Sequence, residues 1–248
     1  MIELRDVHLS FGDKHVLKGV SFGIDSGKTL AIIGTSGAGK STVLKCICGL
    51  VRPQSGSILI DGLDVMTADD KTLKSIRAKL GMVFQYSALF DYLTVYDNVA
   101  FGLRKHTSLT EAEIRDKVAE ALSMVNLSHT MEMMPSELSG GMKKRVALAR
   151  SLVLEPAFLL YDEPTSGLDP ITTAATNKLI NMGRDLGKTS LVVTHDIPTI
   201  NSVADKIVFI HSGTVIYEGL YDDMINSDNP YVVQFMNGRT QGPIATIG

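Results

Sequence analysis

The chain has 248 residues, 44% of them hydrophobic, and a formal net charge of −3. That is enough for one large α/β domain or two small ones, and the charge gives no reason to expect nucleic acid as a partner. No apolar run approaches the ~18 residues that cross a bilayer, and the N-terminus lacks the charged-then-apolar layout of a signal peptide. The expectation is a protein that is soluble and cytosolic by itself, with any membrane role supplied by a partner.

Residues 2–24 alternate apolar and polar positions (Ile2, Leu4, Val7, Leu9; Val20, Phe22, Ile24), the period of half-buried antiparallel strands. Residues 29–33 form a short apolar strand leading into a glycine loop. A helix follows with Val43, Leu44, Ile47 and Leu50 on its apolar side, and Pro53 ends that region. Residues 57–60 and 80–84 read as further strands. Cys46 and Cys48 fit neither a metal pair nor a Cys-x-x-Cys redox site, so they are expected as packing residues.

From about 87 to 155 the pattern turns helical. Thr110 and Glu113 have capping-box spacing, and Ile114, Val118, Leu122 and Val125 recur at helical intervals. The basic clusters 104–106 and 143–145 read as solvated helix faces. Strand patterns return at 158–161 and 190–194, and 206–211 pairs with 214–218 across Ser212-Gly213 as a hairpin. No internal repeat is found. Residues 238–248 are polar and aperiodic, a tail with Ile244 and Ile247 as its two apolar points.

Gly34-Thr35-Ser36-Gly37-Ala38-Gly39-Lys40-Ser41 follows a strand and opens a helix, the context that a phosphate loop needs. Glycines let backbone N–H groups turn toward phosphates at a helix N-terminus. Lys40 is placed to reach the β- and γ-phosphates and Ser41 to bind Mg²⁺, with Thr42 next in the same binding stretch. The plainer alternative is a glycine-rich turn at a helix start. Asp162 and Glu163 end an apolar strand, a costly place for two carboxylates unless a cation or substrate awaits them. An ordinary strand end with solvated acids is the competing reading. Ser139, Gly140 and Gly141 stand before another helix, expected over 143–153, and expose N–H groups to an anion.

A phosphate loop, a second glycine turn (Leu138-Ser-Gly-Gly-Met142) and then an acidic pair on a buried strand together resemble the ATP-binding cassette (ABC) family, over about residues 2–225. The resemblance implies an α/β P-loop fold. Its mixed central sheet is joined by an N-terminal antiparallel β subdomain and an inserted helical subdomain at about 87–155. The ATPase domain would span 1–237 and the tail 238–248. It implies that Asp162 holds Mg²⁺, with Ser41 and Gln85 beside it, and that Glu163 polarises the attacking water. Gln85 would touch both the ion and that water. His195 matches the switch histidine that contacts the γ-phosphate, and Phe11 the aromatic that stacks on adenine. Taken alone, Gln85 reads as a surface residue, His195 as structural and Phe11 as an ordinary core or surface residue. The family packs two protomers head to tail, so that Ser139, Gly140 and Gly141 of one close on the ATP of the other, while Ser166-Gly-Leu-Asp169 crosses between them. Met142 departs from the commoner Gln, and the backbone contacts are expected to survive this.

Residues 86–104 (YSALFDYLTVYDNVAFGLR) and 139–150 (SGGMKKRVALAR) are further similar to the ATPases of bacterial Mla/Mce-type phospholipid transporters and of a related chloroplast lipid importer. That similarity implies a homodimer at the cytoplasmic face of the inner membrane, bound to an integral permease and to an Mce-domain lipid-binding subunit. Two other readings share the catalytic motifs: the ATPase of a nutrient importer, and a soluble ABC ATPase without a permease. Against the last stand the lack of a coiled-coil insertion, a second cassette or a zinc-ligand cluster.

Overall fold

The computed structural model of the chain describes residues 1–245. Strands β1 (Ile2–Phe11) and β2 (Lys14–Ile24) pair antiparallel, and β1 also pairs antiparallel with β4 (Ser55–Ile60), which carries the two-residue β5 (Leu63–Asp64). Period-two alternation alone does not put Ile2 and Leu4 on the same face as Val7 and Leu9, because their parity differs. Asp6 resolves this with a positive φ of 49° at a register shift, so both pairs are buried. Gly56 passes directly beneath this kink, where a Cβ would stand 2.4 Å from the Asp6 carbonyl oxygen.

The second sheet runs β10-β9-β3-β8-β7-β6. Strands β3 (Thr29–Ile33), β6 (Leu80–Val83), β7 (Phe158–Asp162), β8 (Thr189–Val193) and β9 (Lys206–His211) are mutually parallel, and β10 (Thr214–Gly219) closes the edge antiparallel. Continuous apolar runs such as Leu30-Ala-Ile-Ile33 and Phe158-Leu-Leu-Tyr161 are buried throughout, as strands covered on both faces must be. One core joins the two sheets through α1 (Lys40–Ile47), where Cys46 and Cys48 lie buried and free. Leu50 is not on that helix: Gly49 (φ 63°) ends it, and Leu50 is exposed.

A second core fills the helical region, formed by α3 (Val95–His106), α4 (Glu111–Met124) and α5 (Gly140–Leu152). The capping box is present: Glu113 Oε2 accepts from the Thr110 N–H at 2.7 Å, and Ile114, Val118, Leu122 and Val125 are buried. Helix α5 starts three residues before the expected 143, because Ser139 caps it and both glycines lie in its first turn. The basic cluster 104–106 is an exposed face as expected, whereas 143–145 is half-buried. Arg104 bonds to Asp97 and Glu111, Lys144 Nζ donates to the Ser166 carbonyl, and Arg145 donates to the Val125 carbonyl.

Helix α2 (Asp70–Ala78) has no counterpart in the sequence reading, and α6 (Pro170–Asp185), α7 (Ile197–Val203), α8 (Tyr221–Ile225) and α9 (Pro230–Met236) cover the remaining faces. The chain after α9 folds back on itself. Gln234, 4% exposed, accepts from the Ile244 N–H at 2.7 Å and donates to the Arg239 and Ile244 carbonyls, and Ile244 packs on the third core with Phe209 and Phe235. Ile244 is therefore anchored on its own protomer. Ile247 lies outside the described residues.

Candidate active site

The parallel strands β9, β3, β8, β7 and β6 end on one edge, and that edge gathers most of the residues singled out above. Such carboxyl-end edges are where open α/β sheets bind ligands. β3 delivers Gly34, β8 delivers Thr194 and His195, β7 ends at Asp162 with Glu163 next, and Gln85 lies two residues past β6. Strand order, not sequence distance, makes these neighbours.

The loop after β3 needs its glycines. A Cβ on Gly34 (φ 149°) would stand 2.1 Å from the Ile210 carbonyl oxygen, and one on Gly39 (φ 104°) 2.9 Å from Leu17. Lys40 opens α1 and is 8% exposed; its Nζ donates to the Gly34 carbonyl at 2.8 Å and the Thr35 carbonyl at 3.0 Å. Burial holds its ammonium below the usual lysine range, partly offset by the charges of Glu163 and Asp162. A cleft of about 300 Å³ lies beside this loop, lined by Phe11, Lys14 and Val16 and by Gly37, Gly39, Lys40, Ser41 and Thr42. Phe11, at the end of β1, is 54% exposed beside it.

Ser41 Oγ donates to Asp162 Oδ1 at 2.8 Å, so the hydroxyl and carboxylate expected at one ion do meet. Burial pushes the Asp162 carboxyl above its usual range, with the Ser41 hydrogen bond working against that. A half-buried, all-oxygen pair whose ionised form is penalised fits a hard divalent cation. Glu163 has a positive φ of 48° and donates its backbone N–H to the Val193 carbonyl at 2.9 Å, which turns its side chain out of the strand. Its Oε1 lies 2.9 Å from His195 Nδ1; the carboxylate is 12% exposed and the imidazole 64%. Gln85 is half-buried, and among the described residues no side-chain hydrogen bond holds it.

Ser139, Gly140 and Gly141 are not among the residues lining the Phe11 cleft. Ser139 Oγ accepts from the Met142 N–H at 3.2 Å, and a Cβ on Gly140 would meet nothing within 4 Å, so this helix start opens outward. Sequence reasoning missed the residues that hold the site's loops. Buried Asn98 accepts from the Phe90 N–H and donates to the Phe90, Leu93 and Thr94 carbonyls, and Arg150 donates to the Ser87 and Ala88 carbonyls. Both brace the segment after Gln85, where Ser87 and Ala88 have positive φ. A polar residue on the apolar side of a helix was the available signal.

Residues 17–166 match the family model for ABC transporters. The chain belongs to the ABC transporter family. It is 44% identical to Protein TRIGALACTOSYLDIACYLGLYCEROL 3, chloroplastic, of Arabidopsis thaliana, over 98% of this chain and 75% of that one. Identity to the probable ribonucleotide transport ATP-binding protein mkl of Mycobacterium leprae is 43%, over 98% and 70%. Identity to the intermembrane phospholipid transport system ATP-binding protein MlaF of Haemophilus influenzae is 40%, over 98% and 93%. A solved dimeric ATP-binding cassette, bound to ADP and Pi in a post-hydrolysis state, superposes with a TM-score of 0.82 at 34% identity, over 89% of this chain and 98% of that one. This ABC chain is an ATP-binding, ATP-hydrolysing transporter subunit of P-loop α/β fold with an antiparallel and a mixed sheet. Among the described residues no helix is long and apolar enough to cross a membrane.

Proposed function

We propose that this ABC ATPase powers phospholipid movement between membranes. It would work as a homodimer held at the cytoplasmic face of the inner membrane by an integral permease, with an Mce-domain subunit carrying lipid. The observation that carries this reading is the 40% identity to an MlaF that the chain covers over 93% of its length. The aromatic-rich segment 86–104 supports it, since Tyr86, Tyr92 and Phe101 stand exposed on the helical region and suit a protein partner.

In this reading the loop N–H groups and Lys40 hold the phosphates of ATP and Phe11 stacks on its adenine. Ser41, Asp162 and Gln85 hold Mg²⁺, which supplies charge neutralisation at the phosphates. Glu163 takes a proton from the attacking water, and His195, bonded to Glu163, orients it and reaches toward the γ-phosphate. Ser139, Gly140 and Gly141 of one protomer close on the ATP of the other. The domain takes in 1–237, with its helical subdomain at about 87–155 and the tail at 238–248.

The test is reconstitution with the permease that co-purifies in mild detergent. ATP-dependent transfer of a fluorescent phospholipid between vesicle populations is the expected result. The mkl relative's name supports a second reading, ribonucleotide transport. ATP-driven ribonucleotide uptake without phospholipid transfer would replace the first reading with the second.

A further inference from the structure

The contact between Lys144 and Ser166 joins two parts of the site that sequence places apart. Lys144 lies in the second turn of α5, five residues after Ser139, and its half-buried Nζ donates to the Ser166 carbonyl at 2.5 Å. Ser166 in turn donates its N–H to the carbonyl of Glu163 at 3.2 Å. A second contact runs the same way: a Cβ on Gly141 would stand 2.8 Å from Thr172 Cγ2, so the start of α5 rests on the start of α6 with no clearance. Asp169 fixes that start by accepting from the Ile171 and Thr172 N–H groups. The segment between Glu163 and Thr172 is thus tied at both ends to the first turns of α5. Glu163 itself sits in a left-handed conformation, which persists only where its surroundings over-determine it.

We propose that Lys144 is a positioning residue that couples the 139–141 turn to Glu163 of the same protomer. When that turn closes on the partner's ATP, α5 carries the Ser166 carbonyl with it and sets the Glu163 backbone for this protomer's own ATP. Lys144 touches neither nucleotide; it acts through Ser166. The inference rests on the roles given above to Glu163 and to the 139–141 turn. Loss of one charge-assisted hydrogen bond is worth a factor of about 10–150.

The experiment uses the full-length protein with Lys144→Met, which keeps the apolar stem, and Lys144→Arg, which keeps the donor. Wild-type hydrolysis should rise cooperatively with ATP. Lys144→Met should cut kcat about 10–150-fold and bring the Hill coefficient toward unity, with equilibrium binding of labelled ATP unchanged, and Lys144→Arg should restore both. If methionine destabilises the chain, Lys144→Gln serves the same comparison. A wild-type kcat and Hill coefficient in Lys144→Met overturns the proposal, as does a fall in kcat with cooperativity intact or a wild type without cooperativity. Glu163→Gln run in parallel separates the failures. If it hydrolyses ATP normally, the site assignment falls; if it is inactive while Lys144→Met is normal, only the coupling falls.

Discussion

Replacing Glu163 by Gln keeps the side chain's size and removes the charge proposed to accept a proton. The carboxylate is 12% exposed and bonded at 2.9 Å to His195, so the amide should occupy the same place. Lys40 and the loop are untouched, and ATP binding should persist. General-base catalysis contributes about 10²–10⁴-fold, equivalent to about 2.7–5.4 kcal/mol of barrier, so turnover should fall by that factor and ATP-bound dimers should accumulate. His195→Ala removes one hydrogen bond to a charged group, worth about 1.5–3 kcal/mol, and should slow turnover about 10–150-fold. If His195 acts through Glu163, the double variant should be no slower than Glu163→Gln alone, because the two lesions remove one function. Steady-state phosphate release, alongside equilibrium binding of labelled ATP, measures all three variants. A Glu163→Gln protein at wild-type rate would refute the base assignment. A double variant slowed by the product of the two single effects would refute the dependence of His195 on Glu163.

Asp162→Asn should abolish Mg²⁺-dependent hydrolysis yet raise the Tm of the nucleotide-free protein at neutral pH. Burial raises the folded-state pKa, so the folded state binds the extra proton; the associated stability is lost as pH rises from the unfolded value through the folded one, and the variant should flatten that part of the pH–stability curve. A mixture of Ser139→Arg and Lys40→Ala protomers should recover partial activity, since one composite site carries both lesions and the other neither; complete inactivity of every mixture argues against independent sites. Truncation after Asn237 should lower Tm by about 2–8 °C without weakening ATP binding, because it strands buried Gln234 without its three hydrogen bonds, and unchanged unfolding would return the tail to an inert end.

The strands were legible where a single physical signal dominated. β3 was read at its observed limits because a short, wholly apolar run before a glycine loop has few alternatives. Helix α2 was not, because its apolar stripe is only Leu73 and Ile76 within nine mostly polar residues, too short to establish a period. Leu50 had helical spacing but fell after a glycine that leaves the helix, so spacing was right and continuity was wrong. The parity change between Leu4 and Val7 was visible as a pattern; only the positive φ at Asp6 turns it into a bulge that keeps both pairs inside.

The site divides along the same line. The phosphate loop could be read locally because its ligands are its own backbone. Gln85, Asp162 and His195 were joined in sequence only through the family resemblance; the physical reason, β6, β7, β8 and β3 lying side by side, is contained in no local window. Lys144 marks the limit. In sequence it is one of three consecutive basic residues, and a basic run on a helix is ordinarily solvated. Its partner is a backbone carbonyl 22 residues away, and a carbonyl leaves no trace in residue identity. Arg150 repeats the case, with carbonyl partners 62 and 63 residues upstream. Side chains that brace loops through main-chain oxygens are therefore hidden from sequence reasoning, since any residue at position 166 or 88 offers the same acceptor. In this ATPase those hidden braces sit under the loops that follow Glu163 and Gln85.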